Sequence, residues 1–351
     1  MTYRPEKASL AAGGGERGYF RRLKLRHSQD GVIVEDRERG RWVSLPRARE
    51  RAETSLGEEQ CRETLALLAG GAAAREQVGR LLEAVGGEES VAADPGEAGL
   101  PFEARSLRAF SLWEAHYEGS ARMLVKRFFP PPVRRVAAGF ERLTRRTFPP
   151  FKPNGRFYEV PAFYLGNHTA MLADGEQMPW PSHTDFLDFE LELACVLARP
   201  LGPDPTPEEA RAAIGGWLVL NDWSAREVQA EEARHGMFGP AVKSKTFANS
   251  LGPDLITPEE LPDWTAATGR VRVDGELWCE GGTAGPAHEI GAMVAYAAAG
   301  ERLGAGDVIS TGTMPGCCGL EHDRWLRPGQ TVELEIDGIG TVANRIGERP
   351  A

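Results

Sequence analysis

Glu190 and Glu192 stand two residues apart in DFLDFELELACVL, residues 185–197. On a strand, residues i and i+2 point to the same face. Two carboxylates on one face repel each other. A hard divalent cation, which prefers oxygen ligands, would relieve that repulsion. Asp188 shares the alternation, with Leu187, Phe189, Leu191 and Leu193 on the opposite face. The solvated outer face of an antiparallel strand has the same pattern, so this stretch alone leaves both readings open.

Three further stretches carry groups of complementary chemistry. In GGWLVLNDWSAREVQAEE the apolar run Trp217–Leu220 ends at Asn221 and Asp222. Asp222 is thereby placed at a strand end, where ligand groups are often found. Ser224 followed by Glu227 reads as a capping box opening a helix. In GPAVKSKTFANSLGP, Lys243 and Lys245 share a face if the segment is extended. A lysine beside an acidic cluster neutralises it or stabilises an enolate oxygen. In GDVISTGTMPGCCGLEHDRW, Val308 and Ile309 lead into Ser310–Thr313 and a Gly/Pro loop bearing Glu321. Glycines there let backbone N–H groups approach a ligand, but no GK[ST] is present and this is not a Walker loop. Of the seven histidines none forms HExxH, and His116 lies in the helical WEAHYE between Glu114 and Glu118.

The elements that must position these groups follow from periodicity. Residues 18–46 read as short strands separated by turns, and residues 57–86 as two short helices broken at Gly70–Gly71. VGGEESVAADPGEAGLP reads as a linker, which divides the chain into a small N-terminal domain, 1–95, and a catalytic domain, 96–351. The latter opens with a helical stretch, SLRAFSLWEAHYEGSARMLVKRFF, and few long helices are expected after residue 130. TVELEIDGIGTVANRI alternates as a two-faced hairpin turning at Asp337–Gly338. Without regular strand–helix alternation, a β-rich α+β roll fits better than a doubly wound parallel sheet.

The totals restrict the partners. A formal net charge of −10 over 351 residues argues against a generalised phosphate-binding surface, so no nucleic-acid partner is expected. No run of 18 uncharged apolar residues is present, and residues 1–18 read as a polar, flexible lead. The five cysteines include no CxxC pair, which makes a reduced, cytoplasmic setting the simplest. Cys317 and Cys318 read as structural.

In order, DFELELACVL, LNDWSAREVQ, KSKTFANSLGP, GDVISTGT and GIGTVANRI resemble the fumarylacetoacetate hydrolase superfamily, across roughly residues 185–346. The resemblance implies a mixed β-sandwich roll of the fumarylacetoacetase C-terminal type, with a small N-terminal β-containing domain, assembled as a homodimer. It implies Glu190, Glu192 and Asp222 as ligands of Mg²⁺, with Ca²⁺ or Mn²⁺ as alternatives. It implies Lys245 beside the metal, Gln229 and Tyr164 against substrate, and Thr313 at a substrate carboxylate. His116 would match the general base and Glu321 the glutamate that orients it. Asp188 receives no role and is expected to be dispensable for metal binding.

The chain departs from the family pattern in places. Lys243–Ser244 replaces the usual glycine before Lys245, and Val242 reads as an insertion. Ala233 stands where the hydrolases carry a tyrosine on a lid helix, here about 224–238. The fourth acidic ligand of the animal enzymes has no counterpart. The activity implied is metal-dependent hydrolytic cleavage of a C–C bond in a β-diketone or acylpyruvate-type 2-oxo acid. A decarboxylase, tautomerase or hydratase working through an enolate at the same cation would use the same first half of the site. A non-catalytic binding protein on this fold is the third reading.

Overall fold

The strand Glu190–Leu197 is buried along its whole length, which excludes a solvated outer face. It is the centre of the larger sheet in this computed structural model, which describes residues 22–236 and 242–350. Its antiparallel neighbours are Ile214–Asp222 and Asp307–Cys318. Beyond Asp307–Cys318 the sheet continues through Ser106–Phe110 and Phe163–Gly166. Beyond Ile214–Asp222 it continues through Leu255–Ile256 to the N-terminal strands Lys24–Ser28, Gly31–Asp36 and Arg41–Ser44. A second, five-stranded sheet contains Gln177–Met178, Thr268–Val273, Glu276–Gly282, Thr331–Ile336 and Gly340–Ile346. Both sheets are open, and the architecture is a sheet-rich α+β roll.

The period of two along Glu190–Leu197 divides the core. Leu191, Leu193, Cys195 and Leu197 pack with Val271, Leu334 and Val342 of the second sheet. Ala194 and Val196 pack in another cluster with Leu25, Val34, Leu67 and Leu81 from the N-terminal elements. Glu190 and Glu192 lie on this second face, at the end of the strand where the apolar cover stops. The N-terminal hairpin joins through Lys24 and Leu25, which pair with Ile256 and Leu255.

Several expected elements form as read. The break at Gly70–Gly71 separates Thr64–Ala69 from Gly71–Val85, and Gly71 has φ +58. The tail hairpin turns at Gly338, φ +78. Others differ. The first part of SLRAFSLWEAH is a strand, Ser106–Phe110, and the helix begins only at Glu114. A helix with proline in its first turn, Pro131–Thr144, follows where few helices are expected; proline suits a helix start because its missing N–H is not needed there. Residues 45–51 are helical, capped by Ser44. The expected flexible lead, residues 1–18, lies outside the described residues.

Leu193 is fully buried between the sheets. Leu193→Ala should therefore cost about 2–5 kcal/mol of stability, read as a lower urea midpoint at unchanged slope; a loss below about 1 kcal/mol would contradict this packing.

Candidate active site

Four carboxylates and two cations are buried together where three strands end. Asp188, Glu190, Glu192, Asp222, Arg226 and Lys245 are each at most 4% exposed. If all are ionised, the cluster carries two uncompensated negative charges. Buried charge is tolerated only when it is paired, so the partners of each group matter.

Lys245 sits at the centre. Its Nζ donates to Glu190, to Asp222 Oδ2 at 2.9 Å and to Ser224 Oγ at 2.6 Å. Burial pulls its pKa down, but Asp222 and Glu190 more than offset that and the net shift is upward. The segment is a turn, so the condition for a shared face is not met: Lys245 is buried while Lys243 is exposed. Ser224 serves Lys245 and does not cap a helix; the helix Arg226–His235 has Ala225 as its N-cap residue. Glu227 turns away to accept from Thr184 Oγ1 at 2.7 Å and from the N–H groups of Asp185 and Phe186. The expected lid therefore begins at Arg226, and Met237 and Phe238 lie outside the described residues.

The protein's own cations do not balance the cluster evenly. Burial raises the Glu190 pKa, but Lys245, Arg226 and His116 outweigh it and hold this carboxyl below its usual range. Glu192 is pushed well up by burial, Asp222 and Glu190. Its oxygens accept from Ser310 and, at 3.3 Å, from Thr313 Oγ1. Asp222 is pushed up to about 6 by burial and Glu190, against the pull of Lys245. The Tyr164 hydroxyl donates to Asp222 Oδ2, whereas Asp222 Oδ1 is buried with no hydrogen-bond partner.

This donor set fits a hard divalent cation. Glu190, Glu192 and Asp222 each present a carboxylate oxygen, all within 4.8 Å of one another. An orphaned buried carboxylate oxygen and two surplus negative charges are what an oxygen-seeking dication would satisfy.

A second unit faces the same cavity. His116 Nδ1 is 3.1 Å from Glu321 Oε2. Glu321 also accepts from the Gly316 N–H at 3.1 Å and the Cys318 thiol at 3.3 Å. With Nδ1–H donating to Glu321, Nε2 is left as the acceptor. His116 is half-buried, not a solvated helical histidine. Gly312, φ +91, has backbone where an added Cβ would meet Phe110 O at 2.3 Å. Glycine there, with register shifts between Glu190 and Ala194, aims Thr313 at Glu192.

Eight of the nine residues singled out from the sequence line one cavity of about 670 Å³: His116, Tyr164, Glu190, Glu192, Asp222, Gln229, Lys245 and Thr313. Glu321 stands behind His116. Sequence reasoning missed Arg226 and underestimated Asp188. Arg226 Nε donates to Asp188 Oδ2 at 2.7 Å; its Nη1 is 2.8 Å from Glu190 Oε1 and donates to Gln229 Oε1 at 2.9 Å. Asp188 further accepts from the N–H groups of Gly319 and Leu320 at 2.8 and 2.9 Å. One buried carboxylate thus pins both the arginine behind Glu190 and the turn carrying Glu321. A signal existed: an arginine in the first turn of a helix opposes the helix dipole and asks for another partner.

Residues 144–347 match the family model for the fumarylacetoacetate (FAA) hydrolase C-terminal domain, and the chain belongs to that family. The 4-hydroxyphenylacetate degradation bifunctional isomerase/decarboxylase of Escherichia coli is 26% identical over 237 residues, 62% of this chain and 53% of that protein. The chain spans 53% to 63% of the length of the first curated relatives it matches. The fold is that of fumarylacetoacetate hydrolase from the psychrophilic Exiguobacterium antarcticum, at TM-score 0.60 and 21% identity over 94% of this chain and 100% of that one. The 5-carboxymethyl-2-hydroxymuconate delta-isomerase of Mycobacterium smegmatis superposes with TM-score 0.57 at 21% identity, over 94% and 100%. Among the described residues no helix is long and apolar enough to cross a membrane.

Asp188→Ala strands Arg226 beside Glu190 and frees the 319–320 turn. Removing one partner of a buried pair costs about 3–5 kcal/mol. Chemical denaturation at neutral pH should show that loss, and a variant as stable as the parent would refute the pinning role.

Proposed function

We propose that this chain is a divalent-metal-dependent hydrolase that cleaves a C–C bond in an acylpyruvate-type 2,4-dioxo acid. The observation that carries this reading is the His116–Glu321 pair, at 3.1 Å, facing the acidic cluster across one cavity. Glu190, Glu192 and Asp222 would hold Mg²⁺, with Ca²⁺ or Mn²⁺ suited to the same oxygens. Such a cation, when bound, supplies Lewis-acid polarisation of the substrate's neighbouring carbonyl oxygens.

The remaining steps belong to the chain's own groups. Glu321 orients His116, whose Nε2 takes a proton from water. The hydroxide adds to the distal carbonyl carbon. Gln229, with its Oε1 held by Arg226, has its amide N–H₂ free to donate to the oxygen that gains charge. Lys245 adds its positive charge nearby. The C–C bond then breaks, its electron pair stays on the carbon next to the 2-oxo group, and His116 returns the proton to that carbon. The products are a carboxylic acid and a 2-oxo acid. Tyr164 and Thr313 hold the cluster's outer oxygens in place through Asp222 and Glu192.

The Escherichia coli relative, named for isomerase and decarboxylase activities, supports a second reading: decarboxylation, tautomerisation or hydration of a 2-oxo acid. Decarboxylation and tautomerisation need the three carboxylates and Lys245 but no water activation by His116.

The test is a Mg²⁺-supplemented screen of acylpyruvates and oxaloacetate-like acids, scored by product identity. The parent should release a carboxylic acid and pyruvate. His116→Ala should lower kcat by about 10²–10⁴-fold while calorimetry shows Mg²⁺ binding retained. Undiminished cleavage in that variant removes His116 from the base role, and CO₂ or an isomer as the sole product supports the second reading instead.

A further inference from the structure

The cavity has two chemically different ends. Apart from the phenol of Tyr117, the charged or titratable acid–base groups among its described lining residues gather at one end, at His116, Lys245, Tyr164 and the three carboxylates. The other end is walled by Leu124, Val125, Phe129, Val133, Phe148 and Phe151. One face of the helix Glu114–Phe128 connects them, because positions 116, 117, 120, 121, 124 and 125 all line the cavity. At about 1.5 Å per residue, Val125 lies roughly 13 Å along the helix from His116. A volume of about 670 Å³ is that of a cavity for a ligand well beyond a minimal 2-oxo acid.

Among the described residues that line the far end, none carries a cation for a second carboxylate. Arg122 lies over the Phe151 ring, with the guanidinium carbon 5.7 Å from the centroid, and is paired with Glu141 at 3.0 Å. Arg234 lies over the Phe129 ring at 5.6 Å. Neither lines the cavity. Lys245 has its three N–H groups engaged at the head of the site. A carboxylate placed against these rings and aliphatic side chains would lose its hydration without gaining a counter-charge. An alkyl chain or aryl ring placed there removes apolar surface from water on both sides.

We propose that this site takes 2-oxo acids whose far substituent is an apolar alkyl or aryl group, and discriminates against those that end in a second carboxylate. The proposal rests on the acidic cluster as the 2-oxo acid head-group site. The wall formed by Leu124, Val125 and Phe129 reads the tail.

Binding measures the tail preference without requiring turnover. In Mg²⁺-containing buffer, calorimetry would compare pyruvate, 2-oxooctanoate and 2-oxosuberate, the last two equal in length and differing at the far end. 2-Oxooctanoate should bind at least about tenfold tighter than either of the others, since each buried methylene contributes up to a few-fold. Val125→Arg places a cation on the wall, far from the head group, and should reverse the order of the two long acids. Equal affinity for the long acids in the parent, or tighter binding of 2-oxosuberate, overturns the proposal. So does a Val125→Arg variant that gains nothing for 2-oxosuberate. If none of the three acids binds, the head-group reading falls and takes this one with it. If the order holds but no acylpyruvate is cleaved, the tail preference stands and only the hydrolytic reading fails.

Discussion

An imbalance of buried charge governs this structure. Asp188, Glu190, Glu192 and Asp222 are held out of water, and among the described residues the cations buried with them are Arg226 and Lys245. The two cations are shared unequally. Glu190 lies between both and is held ionised, whereas Glu192 and Asp222, with less of that compensation, are pushed toward their protonated forms. A dication at the oxygens of Glu190, Glu192 and Asp222 would reverse that push, because a bound cation favours the charged carboxylate. The same imbalance would be a liability in a purely structural core, where apolar residues of similar volume do as well or better.

The fold keeps these groups in register. Glu190 and Glu192 ride on a strand whose other face, Leu191 and Leu193, is clamped between two sheets. Asp222 ends the adjacent strand, and Lys245 enters from the segment just before the strand Asn249–Leu251. Asp188 ties this cluster to the turn beyond Asp307–Cys318, so that the Glu321–His116 pair and the carboxylates share one anchor. The helix carrying His116 then runs out over the apolar half of the cavity. None of the helix's residues is fully buried.

Much of this was legible in the sequence because it depends on local period and on blocks with distinctive order. The two-residue spacing placed Glu190 and Glu192 on one face, and the five blocks supplied the fold and their companions. What local pattern could not show was pairing across the chain. Asp188 has the same period as Glu190, yet its partners are an arginine 38 residues on and backbone N–H groups more than 130 residues on. Ser224 and Glu227 have the spacing of a capping box, but Lys245 and the 184–186 turn compete for them and win. Residues 106–113 sit next to a strong helix and read as part of it; parallel pairing of Ser106–Ala109 with Asp307–Ser310 makes the first part, Ser106–Phe110, a strand. The apolar end of the cavity was hidden for the same reason, since it is assembled from two helices and the 148–151 turn.

The most direct measurement is a crystal structure of the protein grown with Mn²⁺ and read by anomalous scattering. A single strong peak within coordination distance of Glu190, Glu192 and Asp222, with Lys245 turned away from at least one of the oxygens it holds here, is the expected result. No peak at that position in Mn²⁺ well above millimolar, with Lys245 still bridging Glu190 and Asp222, would contradict the claim that the buried acidic cluster is built to hold a divalent cation.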